Sequence, residues 1–553
     1  MVGAQSESLL SLQLRFSSEF GCFGASVNSS GKADGGGAVA VGMLQHAPMA
    51  PVPVPARMAP VWSVGALGLV VGAIGAWNPS YWGDEAASVM SATRPWPSLL
   101  AELQTVDAVH GIYYAFLHVW TSVFGTSEFA TRLPSAIAVG FMVAGTAWLV
   151  TRFAGIRLGL LAGVVAAVLP RTTWMAEEAR SYAIGTAAAV WLTVLLVHLV
   201  RREARTRVWL VYGVGMAAAI TLFADLSLML LVHISGVLIL HRRMLRAWGV
   251  GAATAIGLSL PLLFVGFRQR GQVSFLAERE YATFTNVVAT QWFDSPGPAV
   301  LCWALILFAA FALVRGHRAG ALPRGWWSLG LLAAAWLAVP TAGLLVVNAT
   351  IAPMYSPRYL SFTTPAAAIL VALGIAAVAS RVAAFARPHE QARAGSSTAI
   401  AILLVLVCVV APGYTAQRGQ FAKDAGSDLR QVSAYVGQHA QPGDAVVFDE
   451  GTEPFRAPRL ALGAYPAGFA GLDDLEMLSP YAHADGLWDH VAQLSEVANR
   501  LQPGQTVWAI ESTQPGDPTD VTELLGLGYR ISSAVLVHRT TVYQLTLPDV
   551  ATR

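Results

Sequence analysis

The residues best able to do chemistry gather in one stretch. Tyr81-Trp82-Gly83-Asp84-Glu85 stands just after the first long apolar run; Asp107, His110, Tyr113, Tyr114, His118 and Trp120 follow, then Glu128 and Arg132 before the second run. A carboxylate suits a general base that removes the proton of an attacking hydroxyl. Paired acids at a helix end also serve as plain solvated caps, so the pair alone decides nothing. Three further polar stretches interrupt the apolar pattern. The first, 171–180, holds Glu177, Glu178 and Arg180 and is followed by Tyr182; 267–297 holds Arg268, Arg270, Glu278, Arg279, Glu280, Tyr281 and Trp292; 348–361 holds Met354, Arg358 and Tyr359. Arginine offers phosphate a planar, always-charged fork, and aromatic rings suit sugars and prenyl chains. The blander explanations are capping with an ion pair between the two glutamates and Arg180, a solvated hairpin, and interface anchoring by Tyr and Arg. Together the four stretches carry the parts for transfer from a lipid-linked phosphosugar, a reaction that spacing alone does not name.

The elements that must position these residues are membrane helices. Of 553 residues, 55% are hydrophobic and 12% charged, and mean hydropathy is +0.53. A soluble domain carries about 25% charge, so the composition indicates a polytopic membrane protein. Apolar runs are expected as spans near 61–77, 130–152, 157–170, 181–200, 208–224, 226–241, 247–266, 298–315, 326–347, 362–380 and 398–413, with 61–413 forming one transmembrane domain. With the N-terminus in the cytoplasm, the arginine clusters at 201–207, 241–246, 315–324 and 381–393 all fall inside, as the positive-inside rule requires. The four polar stretches then lie outside, the first as a loop over 78–129, and everything after Pro412 is outside too. Dropping one span would scatter the clusters to both sides.

Residues 1–60, rich in Gly, Ala, Ser and Pro, are expected to be a disordered cytoplasmic tail. No signal peptide precedes the first run, and Met43 or Met58 serves equally well as a start. From 414 to 553 charge, Pro and Gly return. A helix over 428–438, strands at 445–448 and 506–510, a helix near 487–501 and one or two strands within 529–547 predict a small extracytoplasmic α/β domain, suited to acceptor recognition. Cysteines 22, 302 and 408 are too scattered for a disulfide framework or metal site. No basic patch interleaved with aromatics marks a nucleic-acid partner. Lysine occurs only at 32 and 423, which points to a GC-rich source.

The chain resembles the multi-pass, lipid-phosphosugar-dependent glycosyltransferases of the GT-C fold, nearest the bacterial protein O-mannosyltransferase and aminoarabinose transferase group. Five elements carry the resemblance in order over about residues 60–380: Asp84-Glu85 after the first helix; His110-Gly111-Ile112-Tyr113-Tyr114, where the family has His-Pro-Pro-Leu-Tyr-Tyr; Arg132-Leu133-Pro134-Ser135 opening the second helix; Glu178-Ala179-Arg180-Ser181-Tyr182 opening the fourth; and Pro357-Arg358-Tyr359 before a late one. The resemblance implies catalysis by Asp84 as base with Glu85 beside it. It implies donor-phosphate binding by Arg180, Tyr182, Arg358 and Tyr359, and a cavity lined by His110, Tyr113, Tyr114 and Glu178. The implied donor is a polyprenyl-phosphate sugar, mannose or arabinose, and the acceptor a glycolipid, glycan or protein. Gly111-Ile112 replaces the family's Pro-Pro. The family includes metal-dependent members, so a divalent metal is left open, and no ligand spacing assigns one. Two readings from other classes remain: a flippase for lipid-linked material, which predicts internal repeats and mid-helix charges, and a non-catalytic envelope scaffold. No repeat is visible, and Asp225 is expected at a helix junction.

Overall fold

A computed structural model describes residues 58–513 and 518–548; the expected N-terminal tail lies almost wholly outside these. Eleven apolar helices stand where eleven runs were expected, and further helices cover the polar stretches. The first, α1 (Ala59–Ala73), is followed by α2 (Gly83–Thr93), α3 (Trp96–Thr105) and α4 (Gly111–Phe124) within the stretch expected as a loop. Next come α5 (Glu128–Ala154), α6 (Ile156–Val168), α7 (Pro170–Ala176), α8 (Tyr182–Arg201), α9 (Trp209–Leu222), α10 (Met229–His241), α11 (Leu245–Arg268), α12 (Pro296–Arg318), α13 (Trp326–Thr350), α14 (Thr364–Ala383) and α15 (Gln391–Gln417).

Among the described residues, seven helical segments are long and apolar enough to cross a membrane, or eight if α6 and α7 form one bent span. One of the seven, Ala224–Arg268, divides at His241, whose φ of −165° and ψ of 85° leave the helical region. The 63° bend between α6 and α7 falls at Leu169, held extended (ψ 137°) by the proline after it. Asp225 lies in a 3-10 turn between α9 and α10, as expected for a junction.

Contacts sort the ends of the bundle. Arg201 donates to the Arg152 carbonyl (2.6 Å), His241 meets Glu203 (3.2 Å), Gly325 packs on Phe153, and Met58 packs near Trp148 and Ile156. The arginine clusters at 201–207, 241–246 and 315–324 therefore share one end. Asp84, Arg132, Arg180, Arg358 and the chain after Gln417 share the other.

At that second end sits an α/β domain. α16 (Leu429–His439) precedes a five-stranded sheet ordered β2-β1-β5-β7-β6, and β3 (Met477–Ser479) and β4 (His490–Val491) form a separate hairpin. β1 (Ala445–Phe448) runs parallel to β2 (Asp473–Asp474) and β5 (Val507–Ser512); β7 (Thr540–Thr546) is antiparallel to β5 and β6 (Arg530–Leu536). Alternate residues of β1 serve two cores, as the two-residue strand period requires: Ala445 and Val447 face α17 (Thr519–Gly526), while Val446 and Phe448 face α16. The helix expected over 487–501 is absent except for short turns at 494–500. Its backbone groups have tertiary partners instead: Arg94 takes the carbonyls of Gly486 and Leu487, and the Ala492 amide bonds Glu476.

α2 belongs to both halves of the molecule. Ala86, Val89 and Met90, spaced along one helical face, pack with Leu429, Val432, Phe448 and Leu460 in the α/β core. Ala92 packs instead with Tyr113, Tyr114 and Leu117 of α4. Its N-terminus touches the domain so closely that a Cβ at Gly83 would fall on the carbonyl oxygen of Phe455. Gly83→Ala is accordingly expected to loosen the α/β domain from the bundle, because a backbone carbonyl cannot rotate away as a side chain can. Limited trypsin digestion in detergent should release fragments of 414–548 faster than in the wild type; an unchanged cleavage rate would show that the contact yields at no cost.

Candidate functional site

The site is built on the first turn of α2, which carries Asp84 and Glu85. Consecutive helix residues point about 100° apart, and these two go to different partners. Glu85 was expected beside Asp84 in the reaction. Instead both its oxygens are occupied: Arg132 Nε lies 2.8 Å from Oε1 and Nη2 2.6 Å from Oε2, and the Ala179 amide donates to Oε1 at 2.9 Å. Arg132 Nη1 also donates to the carbonyls of Ala76 (2.7 Å) and Pro79 (2.8 Å). Both side chains are wholly buried. Burial opposes ionisation of Glu85, but Arg132 prevails and holds its carboxyl below the usual range. One ion pair thus joins α2, α5, the end of α1 and the turn before α8.

Asp84 faces a different group. Arg358 Nη1 lies 2.8 Å from its Oδ2, and Arg180 Nη2 lies 3.9 Å away. Arg358 comes from a 3-10 turn, Pro357–Thr363, which leads into α14. Its guanidinium stands 5.1 Å from the Trp82 ring centroid and 5.6 Å from that of Tyr359, within cation–π range. Its Nε is buried and has no hydrogen-bond partner among the described residues.

Arg180 reaches across to α4. Its Nη1 lies 3.3 Å from the Ser88 and Tyr114 hydroxyls, and Nη2 lies 3.2 Å from His110 Nε2. A guanidinium only donates, so His110 Nε2 accepts and its proton resides on Nδ1. Burial, with Arg180 beside it, holds His110 well below the usual imidazole range and therefore neutral. Tyr114 donates in turn to Asp107 at 2.7 Å. Tyr182, the first residue of α8, packs edge-on against Phe223 with centroids 5.6 Å apart. Asp84, His110, Tyr114, Arg180 and Arg358 thus form one contiguous group, with Tyr182 and Tyr359 at its wall. Tyr113 stands apart in the apolar layer, its hydroxyl buried without a hydrogen-bond partner among the described residues.

Glu178 does not pair with Arg180. It accepts from Lys423 Nζ at 2.6 Å and from Trp82 Nε1 at 3.0 Å, while Glu177 lies 3.6 Å from the same Nζ. Burial pushes the Glu178 carboxyl up to about 7, against the pull of Lys423. These groups border a cavity of about 160 Å³ with Trp174, Gln417 and Asp424. Lys423 and Trp82 were not picked out as site residues from the sequence. The available signal was that Lys423 is one of only two lysines in a chain that otherwise uses arginine.

Among the described residues no cluster of His, Cys, Asp or Glu is arranged to hold a metal. The donor set itself disfavours one: the free face of Asp84 looks onto two guanidinium groups, which repel a cation.

Comparison with known proteins bears on the fold. No family model and no curated protein matches the chain. Among solved structures, ArnT from Cupriavidus metallidurans in the apo state matches with a TM-score of 0.50 at 15% identity, over 88% of this chain and 97% of that one. The same protein bound to undecaprenyl phosphate matches at 0.51 and 16%, with the same coverage. A fainter likeness, with a TM-score of 0.45 at 10% identity, is to the oligosaccharyltransferase of Archaeoglobus fulgidus in its apo form, over 82% of this chain and 69% of that one. The chain is a multi-pass membrane protein with the GT-C fold, closed at one end by an α/β domain.

The two adjacent carboxylates should separate cleanly under mutation. Glu85→Gln leaves Arg132 buried with an unmatched charge and is expected to cost about 3–5 kcal/mol, read as a lowered Tm in detergent. Asp84→Asn should keep a Tm near wild type. An equal loss in both variants would mean that Asp84 is also structural.

Proposed function

We propose that this protein is a glycosyltransferase that moves a sugar, mannose or arabinose, from a polyprenyl-phosphate donor to a hydroxyl of a glycolipid, glycan or protein at the outer face of the plasma membrane. The observation that carries this reading is the Asp84 carboxylate set between Arg180 and Arg358, with Arg358 Nε buried and unpartnered among the described residues. A phosphate would supply that missing acceptor. The sharing of one bundle end by three arginine clusters supports the orientation, since positive loops stay in the cytoplasm. It favours an N-terminus inside, with Asp84 and the α/β domain outside. ArnT, a structure of which holds undecaprenyl phosphate, shares the fold.

In this mechanism the donor phosphate binds Arg180 and Arg358 and draws Arg358 away from Asp84. The freed carboxylate takes the proton of an acceptor hydroxyl as its oxygen attacks the anomeric carbon. The bond from that carbon to the phosphate oxygen breaks, and its electron pair leaves on the phosphate. The two guanidinium groups stabilise the charge that develops there. Single displacement inverts the anomeric centre. His110, neutral, and Tyr114 fix Arg180, and Tyr182 and Tyr359 wall the sugar side. Glu85 serves as a strut and takes no part in proton transfer.

The test is transfer of radiolabel from polyprenyl-phosphate mannose and polyprenyl-phosphate arabinose in membranes. Wild type should label a lipid, glycan or protein fraction, and Asp84→Asn should lower the rate by about 10²–10⁴-fold, the range for loss of a general base. Near-normal transfer by Asp84→Asn would remove Asp84 from the mechanism, and no transfer from either donor by wild type would overturn the choice of sugar.

A further inference from the structure

Two neighbouring membrane helices carry the same pattern toward the bundle end that lies away from the candidate site. α5 carries Phe141, Gly145, Trp148 and Arg152; α8 and the residue after it carry Trp191, Leu195, His198 and Arg202. Each set repeats at i, i+4, i+7 and i+11, so each is one helix face. Both helices run from the Asp84 end toward the arginine end. They are locked level with each other. A Cβ at Gly145 would fall 2.7 Å from the Val190 side chain and 3.1 Å from the Trp191 indole, and that indole donates to the Phe141 carbonyl at 3.1 Å. The rings form one band: Trp191 stands 6.1 Å from Trp62 of α1 and 6.0 Å from Trp148, and Phe141 meets Trp62 edge-on at 5.9 Å. Trp62 is 44% and Phe141 49% exposed, so the band faces lipid.

Where the band ends, cations begin. Arg152 and Arg202 stand close enough to His198 for their charges to act on it, and Arg152 acts likewise on Arg201. Arg201 donates Nη1 to the Arg152 carbonyl, while its Nε and Nη2 are buried without a partner among the described residues. Glu203, the acid in the same loop, lies 3.2 Å from His241 instead. A buried guanidinium with no counter-charge is costly, and an anion held beside it removes that cost. Arginine is suited to phosphate oxygens. From Arg152 to Phe141 is eleven residues of helix, about 16 Å, or about half of a hydrocarbon core of ~30 Å. The face therefore has the length of one leaflet, with its charge at the headgroup end. We propose that it binds one anionic phospholipid of the leaflet at the arginine end, the phosphate among Arg152, His198 and Arg202 and an acyl chain along Trp148 and Phe141. This site is separate from the reaction proposed above and does not depend on it.

Two measurements test this. The first is native mass spectrometry of the full chain released from nanodiscs of phosphatidylglycerol and phosphatidylcholine. It compares wild type with Arg152→Gln/Arg202→Gln and with Arg242→Gln/Arg243→Gln, an exposed pair at the same end. Wild type should retain phosphatidylglycerol in preference to phosphatidylcholine. The first variant should bind it about thirtyfold more weakly, the worth of two cations beside an anionic headgroup, and the second about as wild type does. An equal drop in both variants would make the effect the general charge of that end, and release by millimolar inorganic phosphate would mean a soluble anion; either overturns the proposal. The second measurement needs no variant. Phosphatidylglycerol with a diazirine in its acyl chain should crosslink within 141–152 and 191–202. Crosslinks spread evenly over the lipid-facing helices would mark an ordinary lipid shell and overturn the proposal as well.

Discussion

A charge pair sealed away from water holds together the end of this protein that carries the candidate site. Glu85 and Arg132 are both wholly buried, and such burial is costly unless every polar atom finds a partner. Here the partners are nearly all backbone: carbonyls at the end of α1 and an amide in the turn before α8. The pair acts as a bolt through four segments from three separate parts of the sequence. Everything proposed for Asp84 depends on it, because Asp84 is the neighbouring residue on the same helical turn. Its direction toward Arg180 and Arg358 follows from where Glu85 is pinned.

A second layer of charge surrounds the first. Lys423, Glu177, Glu178 and Trp82 form a chain that ends at the indole lying 5.1 Å from the Arg358 guanidinium. Arg180 is held from the other side by Tyr114 and a neutral His110. Both arginines are thus held at the site before any ligand arrives, and only the contact of Arg358 with Asp84 has to yield to a phosphate. Each is held by groups from a different part of the chain, so the geometry of the two arginines is a property of the assembled end rather than of any one motif.

Much of the fold was legible because hydropathy and arginine placement are strong, additive signals over hundreds of residues. The apolar runs predicted helices in the observed places, and three of the arginine clusters gather at one end. Asp225 lies at a helix junction as expected, and the run expected over 157–170 ends at Val168, before Pro170. The site was legible in composition but not in roles. Asp84, Arg180 and Arg358 are far apart in the sequence, and only the resemblance set them side by side before the structure did. An Asp-Glu pair reads as a unit in sequence, whereas one helical step sends its members to different partners. Lys423 was visible only as a statistical oddity, since nothing local shows that it reaches back to Glu178. Residues 487–501 have helical apolar spacing, but Arg94 and Glu476 recruit their backbone into other contacts.

The double membership of α2 has a consequence for how this protein can vary. One face of that helix is core for the α/β domain, another is core for the membrane bundle, and its first turn carries the candidate base. The α/β domain is therefore no detachable module. A lineage that exchanged it for another would have to rebuild the helix presenting Asp84 in the same step. Positions 83 and 94 should drift together with 455 and 484–487.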